Sequence, residues 1–348
     1  MGGIQVKKLF KVSNALLLAV ILSFTMAFGT ACNTNKDRVS QKTSNEENIN
    51  KNSKEDTETK EKKKNAKGDD ISGDEGNGEK KYGNVKGFLW EVKKGDATVY
   101  MYGSIHVGSK DIYPLEKTVE DAFDSADVLV GEIDIANLDN DEISSVAMDS
   151  IYTNGDTALD HLSEEGKKKL DQVSKELKFN YKFIIRFKPW YVGSILSNYQ
   201  VKKAGYNSDY GIDMYFFKKA KGKKETDELE SAKFQFDLLN SFSDEEQEKY
   251  FIMSMGTVEE TKAALDQMFD LYKKGDEKAL LEFLGEDDKS SNYYKKMILE
   301  RNENMTLKIE EYLNTDKTYF VVAGLAHFIG EDGIVQMLKD KGYTVTRK

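Results

Sequence analysis

Two of the chain's three histidines end the same short pattern, Gly-x-x-His, directly after a predicted strand. His106 ends residues 103–106 (Gly-Ser-Ile-His), and His327 ends residues 324–327 (Gly-Leu-Ala-His). Glycine lets the chain turn sharply and lets backbone approach a ligand closely. In open α/β sheets the usual ligand site is the crevice beyond the carboxyl ends of the strands. The repeated pattern therefore predicts that both imidazoles line such a crevice.

Glu132 directly follows a third apolar run, residues 128–131, and a carboxylate in that position needs a partner. Two imidazoles and one carboxylate form a suitable ligand set for a divalent transition metal such as manganese, cobalt or zinc. We therefore predict that His106, Glu132 and His327 bind a metal. Glu132 could instead be a general base, and the two histidines could instead be structural residues at strand ends.

Other catalytic classes lack their characteristic residues in this chain. The zincin motif His-Glu-x-x-His, the Gly-x-Ser-x-Gly nucleophile elbow and the Walker A loop are absent from the sequence. The one cysteine, Cys32, excludes an intramolecular disulfide and a thiolate zinc cluster. His161 precedes a predicted helix, and we expect it to be a solvated neighbour of the helix cap without a function.

The body of the chain, residues 86–348, alternates strand and helix signals. Aromatic, β-branched or wholly apolar runs predict strands at 88–92, 98–102, 128–133, 318–323 and 343–346. Helical spacing predicts helices at 115–126, 259–273 and 331–340, with region 141–290 mostly helical. These patterns predict one α/β domain, in which a mixed central sheet takes strands from both ends of the body around a helical middle segment.

Charge divides the chain into three regions. Residues 1–32 carry a net charge of +3, residues 33–85 carry equal numbers of acids and bases, and the body carries −13. An acidic body is poorly suited to a phosphate backbone, which is held by lysine and arginine, so we expect no nucleic-acid partner. The middle region has six apolar residues in 53 and is predicted to be a disordered polar tether.

Residues 1–32 have the features of a secretory signal, because three lysines precede an apolar run and small residues that end at Cys32. This arrangement resembles the lipobox of bacterial lipoproteins, in which the cysteine is lipidated, although Gly29 stands where leucine is usual. The alternative is an uncleaved membrane anchor, since residues 12–31 are long enough to span a bilayer. Both interpretations place the body at the outer face of the cytoplasmic membrane.

Several short motifs of the body occur together in one order. They are Leu89-Trp90-Glu91-Val92, residues 102–108 with His106, Tyr113-Pro114-Leu115, Glu132, Gly211-Ile212-Asp213, Leu229-Glu230-Ser231 with Gln235, Arg301-Asn302, residues 324–330 with His327, Gly333 and residues 342–345. In these motifs the chain resembles the TraB/GumN family, which includes the TIKI proteases and the pheromone-shutdown proteins of Gram-positive bacteria. The resemblance covers residues 88–347, essentially the entire body.

The resemblance implies a fold related to the erythromycin-esterase and ChaN-like proteins. It also implies a metal-dependent hydrolytic site built on His106, Glu132 and His327. Ser104 stands where many members of the family have threonine, a difference that keeps the hydroxyl group.

The same resemblance suggests roles for four further residues. Arg301, in a pair with Asn302, would stabilise a developing oxyanion, because a guanidinium stays charged and offers several donors. Three of them, Asp213, Glu230 and Asn302, would orient the histidines or bind substrate, as would Ser104. The alternatives are a helix-surface ion pair for Arg301, a cap or turn role for Asp213 and a solvated helix position for Glu230.

These observations predict a metal-dependent hydrolase, most specifically a peptidase that acts on extracellular peptides or proteins. A different function is also consistent with the resemblance. A surface protein could bind and sequester a secreted signalling peptide without cleaving it, and the acidic body would suit a cationic peptide.

Overall fold

The computed structural model describes residues 82–138, 140–285 and 288–348. The predicted signal segment with Cys32, and residues 33–81 of the predicted tether, lie outside the described residues. Within the described part, no helix combines the length and the apolar character needed to cross a membrane.

Six strands of the described residues form one sheet: β1 (Phe88–Lys94), β2 (Ala97–Ser104), β3 (Val128–Gly131), β4 (Glu225–Glu228), β5 (Thr318–Gly324) and β6 (Val345–Arg347). The order across the sheet is β4-β3-β5-β2-β1-β6. Strands β4, β3, β5 and β2 run parallel, whereas β1 pairs antiparallel with both β2 and β6. This arrangement confirms the predicted mixed sheet with strands from both ends of the body.

β1 and β2 form a hairpin, in which Lys94 pairs with Ala97 and two residues make the turn. The first of these, Gly95, has a φ of +58°. A two-residue hairpin turn needs this left-handed conformation, which glycine adopts without a steric cost. The hairpin occupies one side of β2 and leaves its other side for β5.

The four parallel strands bring their carboxyl ends to one edge of the sheet. Ser104 at the end of β2 lies opposite Gly324 at the end of β5. Gly131 at the end of β3 lies opposite Val322 of β5 and Glu228 of β4. β3 and the middle of β5 are buried, as expected for strands covered on both faces. The segments that follow these strands therefore converge at what we call the carboxyl edge.

The helices of the described residues are α1 (Lys117–Ser125), α2 (Asn140–Met148), α3 (Glu164–Leu177), α4 (Pro189–Lys203), α5 (Ile212–Ala220), α6 (Ala232–Asn240), α7 (Asp244–Ser254), α8 (Val258–Lys274), α9 (Glu277–Leu284), α10 (Glu300–Tyr312) and α11 (Ile334–Asp340). A short helical turn (Asn292–Tyr294) and a π-helical segment (Lys295–Leu299) lead into α10. The predicted helices correspond to α1, α8 and α11, with ends shifted by a few residues.

The sequence pattern predicts no strand where β4 lies, and the mostly helical assignment of region 141–290 is wrong there. The four residues of β4 are Glu-Thr-Asp-Glu, which carry no apolar strand signal, and all are exposed or half-buried. β4 is an edge strand that pairs only with β3. Its backbone hydrogen bonds hold it in the sheet although it has no buried apolar side chains. Beside the main core, the helical segment forms smaller apolar clusters around Trp190 and Phe251.

Candidate functional site

The two Gly-x-x-His segments lie side by side at the carboxyl edge. His106 follows β2 by two residues, and His327 ends a 3-10 turn that directly follows β5. Because β2 and β5 are parallel neighbours, both imidazoles enter the same space. Their residues are 4% and 2% exposed, so each ring nitrogen needs a partner within the protein.

His106 is oriented by Asp213, the second residue of α5. Its Nδ1 lies 2.7 Å from Oδ2 of Asp213, and Ser104 Oγ donates to the other carboxylate oxygen at 2.8 Å. Carboxylate oxygens accept hydrogen bonds, so Nδ1 carries a proton, and Nε2 is directed at Glu132 Oε1, 3.6 Å away. Burial opposes a charge on His106, but Asp213 and then Glu132 outweigh it and raise its pKa to about 9.

α5 can begin this close to His106 because a glycine precedes it. A Cβ atom at Gly211 would lie 2.4 Å from the carbonyl oxygen of His106. The amide of Ile212, the first residue of α5, donates to the carbonyl of Ile105 at 3.0 Å. The Gly-Ile-Asp segment thus attaches the helix to the strand-end turn and places Asp213 beside the imidazole.

His327 is oriented by Asn302 in a matching way. Its Nδ1 lies 2.6 Å from Oδ1 of Asn302, whose amide nitrogen donates to the carbonyl of Asp332 at 2.7 Å. That second bond fixes the amide with its oxygen towards the imidazole, so Nδ1 donates. Nε2 then lies 3.9 Å from Glu132 Oε2. Burial and the positive charge of Arg301 lower the pKa of His327 to about 3, so the ring is neutral at pH 7.

Glu132 directly follows β3 and lies between the two imidazoles, with 6% of the residue exposed. Its Oε1 accepts from the amide of Gly324 at 2.5 Å, and its Oε2 accepts from Arg301 Nη2 at 3.0 Å. Burial raises its pKa, but His327, His106 and Arg301 outweigh burial and lower the pKa to about 2. The side chain is therefore an ionised carboxylate at neutral pH.

Gly324 is the point of closest backbone approach to this centre. A Cβ atom there would lie 3.1 Å from Glu132 Oε1 and 3.2 Å from His106 Nε2. Any other residue would crowd the space between the carboxylate and the imidazole. The glycine of the second Gly-x-x-His segment therefore keeps the centre of the site open, whereas its φ of −52° is one that any residue can adopt.

Arg301, near the start of α10, links Glu132 to Glu230. Its Nε lies 3.0 Å from both carboxylate oxygens of Glu230, and its Nη2 lies 2.8 Å from Oε2. The residue is 3% exposed, so the alternative of a helix-surface ion pair is wrong. Burial alone would lower the pKa of Arg301, but Glu230 and Glu132 outweigh it and raise the pKa.

Glu230 is also buried, which makes the alternative of a solvated helix position wrong. It lies in the segment between β4 and α6, where its amide donates to the carbonyl of Glu132 at 2.8 Å. The sequence predicts that Glu230 orients a histidine or binds substrate. Its side chain contacts Arg301 and Gln235, so it does not orient a histidine, whereas Asp213 and Asn302 do. Its expected role in binding substrate stays a prediction.

Arg301 and Asn302 are neighbours in sequence, yet both side chains are buried at the site. The π-helical segment Lys295–Leu299 ends just before them. A π turn widens the helix and shifts the faces of the residues that follow, and such turns are frequent at functional sites. Arg301 Nη1 donates back to the carbonyl of Met297 within that segment, at 3.4 Å.

Gln235 is a site residue to which the sequence interpretation assigns no role. Its Nε2 donates to Glu230 Oε2 at 2.9 Å and lies 3.5 Å from Glu132 Oε2. Its Oε1 is buried and has no hydrogen-bond partner in the described part of the chain. The sequence feature that could have identified Gln235 is its position one helical turn after Ser231. The side chain of Ser231 caps α6 by accepting from the amide of Phe234.

With the side chains as they stand, no group of three or more His, Cys, Asp or Glu residues in the described ranges forms a ready metal site. The potential ligand atoms nevertheless face one another. Both Nε2 atoms are directed at opposite oxygens of one carboxylate, at 3.6 and 3.9 Å.

Comparison with known proteins gives a family but no characterised relative. The sequence profile of the TraB/PrgY/gumN family matches residues 88–347. The uncharacterized proteins YbaP of Escherichia coli strain K12 and of Shigella flexneri are each 28% identical over 151 residues, 43% of this chain and 54% of theirs. The chain thus spans about half the length of these relatives.

A longer match is to an uncharacterized protein of Treponema pallidum strain Nichols. It is 22% identical over 269 residues, which cover 73% of this chain and 80% of that protein. No solved structure matches the chain. The expected relationship to erythromycin-esterase and ChaN-like folds therefore stays a prediction.

Proposed function

We propose that the chain is a metal-dependent hydrolase. The chain belongs to the TraB/PrgY/gumN family, because the profile of that family matches most of its length. The substrates we propose are peptides or proteins outside the cytoplasmic membrane. One observation carries the proposal. Two imidazoles from matching strand-end turns are each held at Nδ1 by a buried oxygen, and both direct Nε2 at the same carboxylate.

The donor set suits a divalent transition ion. The Nε2 atom of His327 has an available lone pair, because the ring is neutral and Nδ1 holds the proton. The bonds to Gly324 and Arg301 leave each oxygen of Glu132 with acceptor capacity. His106, Glu132 and His327 would hold the ion, with His106 giving up its Nε2 proton on binding, and manganese, cobalt and zinc all accept such ligands. When bound, the ion supplies Lewis-acid polarisation of a carbonyl and makes water a better nucleophile.

Glu132 and Arg301 have separate roles beside the ion. Glu132 suits the role of ligand better than that of general base, because a base works best with a pKa near the operating pH and its own is about 2. Arg301 holds Glu132 Oε2 in place and offsets part of the negative charge of two buried carboxylates. Its Nε and Nη2 are committed to these carboxylates, so we assign it to positioning the ligand rather than to the oxyanion.

Gln235 supports an amide substrate. Its Oε1 is a buried acceptor without a partner among the described residues, and its amide orientation is set by the bond from Nε2 to Glu230. A buried polar atom of this kind costs free energy until it is paired. We propose that a backbone N–H of a bound peptide pairs with this atom.

The test is metal content followed by cleavage. The full-length chain in detergent is incubated with manganese, cobalt or zinc, desalted and measured by elemental analysis beside a His106→Ala/His327→Ala variant. We expect about one metal per chain and its loss in the variant, while His161→Ala retains the metal. Equal metal in the double variant and the unchanged chain would refute the site. A peptide library, analysed by mass spectrometry with and without chelator, then tests for fragments.

The second candidate function is capture of a cationic peptide without cleavage, which the net charge of −13 on residues 86–348 favours. A binder removes free peptide in proportion to the protein added and leaves the peptide intact. A hydrolase produces fragments at every substoichiometric dose. The same library experiment therefore separates the two functions.

A further inference from the structure

The chain contains a basic stretch that contrasts with its acidic body. Residues 177–208 include six lysines or arginines and no aspartate or glutamate, within a body whose net charge is −13. The first part of this stretch, residues 178–188, connects α3 to α4 and holds four of the six cations. We call residues 178–188 the basic loop.

The basic loop presents one aromatic side chain to solvent. Phe183 is 82% exposed, the largest exposure of any large apolar residue in the described part. It ends a 3-10 turn (Tyr181–Phe183), in which the side chain of Asn180 accepts from the amide of Lys182 at 3.2 Å. Burying a phenylalanine stabilises a folded protein, so an exposed Phe183 forgoes that stabilisation.

The rest of the loop is firmly attached to the body. Ile184 is buried, Phe187 stacks on Tyr191 with ring centroids 4.4 Å apart, and Phe179 packs on Tyr199 at 4.8 Å. The loop therefore has a fixed inner face. Phe183 is therefore exposed on a loop that is otherwise packed against the body.

Three cations surround the exposed phenylalanine along the chain: Lys178, Lys182 and Arg186 are all exposed. None of them has an ion-pair partner among the residues that the structure describes. The neighbouring carboxylate of Glu176 accepts instead from the amide of Val258 at 2.8 Å. The surface of the loop thus combines unpaired positive charge with one protruding aromatic ring.

We propose that the basic loop docks on an anionic lipid surface, with Phe183 entering the headgroup region and the cations meeting lipid phosphates. Interfacial binding uses this combination of a protruding aromatic group and flanking lysine or arginine. A folded acidic partner would instead need a broad complementary face, whereas the apolar part of this surface is a single ring. The predicted anchor before the body would hold the loop near a bilayer, where a weak contact suffices.

The test places a reporter at the tip of the loop. Phe183→Trp is introduced into the full-length chain, which is reconstituted into vesicles with lipids brominated on their acyl chains. The native Trp90 and Trp190 are buried and give a constant background. We expect bromine quenching of the new fluorescence in vesicles containing phosphatidylglycerol, and much weaker quenching in purely zwitterionic vesicles.

Charge reversal then tests the cations. Lys182→Glu/Arg186→Glu in the reporter background should reduce docking by tenfold or more, since each cation near an anionic surface contributes about a fivefold change. The matched control, Lys274→Glu/Lys278→Glu, changes the net charge equally at exposed positions elsewhere and should leave quenching unchanged. The proposal would be refuted if quenching were equal in anionic and zwitterionic vesicles. It would also be refuted if the loop variant and the control variant lost quenching equally. An unquenched reporter whose emission shifts with polyglutamate would refute it as well, and would assign the loop to an acidic polypeptide.

Discussion

The three histidines occupy two very different environments. His106 and His327 are buried at the carboxyl edge, and each is held by one hydrogen bond at Nδ1 while Nε2 faces Glu132. His161 lies outside that edge with 19% of its side chain exposed. Both of its nitrogens are paired, Nδ1 with Asp244 at 2.7 Å and Nε2 with Asp156 at 3.1 Å.

The difference shows what makes a histidine available for chemistry. His161 stacks on Tyr152 with ring centroids 4.2 Å apart and bridges two partly exposed aspartates. Burial opposes its charge, but Asp244 and Asp156 together outweigh burial and raise its pKa above the usual value. Its nitrogens are committed to a structural ion bridge, whereas the carboxyl edge leaves two Nε2 atoms directed at one shared group.

The largest expected effect concerns the buried ion network. Arg301→Met would leave Glu132 and Glu230 as neighbouring buried carboxylates without the guanidinium between them. We expect the free energy of unfolding to fall by about 3–5 kcal/mol, as when one partner of a buried pair is removed. Denaturant unfolding measures this loss. The control is Lys262→Met, which removes the exposed Lys262–Asp266 pair and should cost under about 1 kcal/mol.

The next effect concerns the residues that orient the imidazoles. Asp213→Asn and Asn302→Ala should each lower metal affinity by about 10–100-fold, because the orienting hydrogen bond at Nδ1 is weakened or lost. Isothermal titration with zinc or manganese measures the affinity directly. Asp156→Asn, beside His161, should leave that affinity unchanged. An equal loss in all three variants would point to general destabilisation instead.

The raised pKa of His106 should make the stability of chelator-treated protein depend on pH. The pKa of His106 is raised to about 9 in the folded state, so its stabilising charge is complete below pH 6.5 and is lost as the pH rises through 9. Relative to a His106→Gln variant, the unchanged chain should lose about 3 kcal/mol of stability between pH 6.5 and pH 9.5. Denaturant unfolding across this range measures it, and a parallel pH profile for both proteins would contradict the prediction.

The smallest effect is expected at His161. His161→Ala removes a partly exposed ion bridge and should reduce stability by about 1 kcal/mol or less, with metal content unchanged. Thermal unfolding and elemental analysis of the same sample measure both quantities. A loss of metal in this variant would show that the separation between the two environments is incorrect.

Local sequence features were sufficient for much of the fold and for the expectation that His106, Glu132 and His327 meet at one edge of the sheet. Apolar runs predicted β1, β2, β3 and β5, and the repeated Gly-x-x-His pattern predicted that two imidazoles would follow strands at a common edge. These predictions depend on spacing within a few residues, which local sterics and burial control. β4 was not predicted, because an edge strand of polar residues is stabilised by its pairing with β3. The amino-acid composition of the segment does not indicate that pairing.

The partners of each site residue depended on contacts between distant parts of the chain. His106 meets Asp213 across 107 residues, and Glu132 meets Arg301 across 169. Such pairs form only when β2, β3 and β5 align and the helices between them close over the carboxyl edge. Residue type and local spacing therefore identified candidates, whereas packing selected Asp213 and Asn302 for the imidazoles and Glu230 for Arg301. The physical reason is that periodicity governs neighbours along the chain, while burial requires every polar group to find a partner wherever the fold places one.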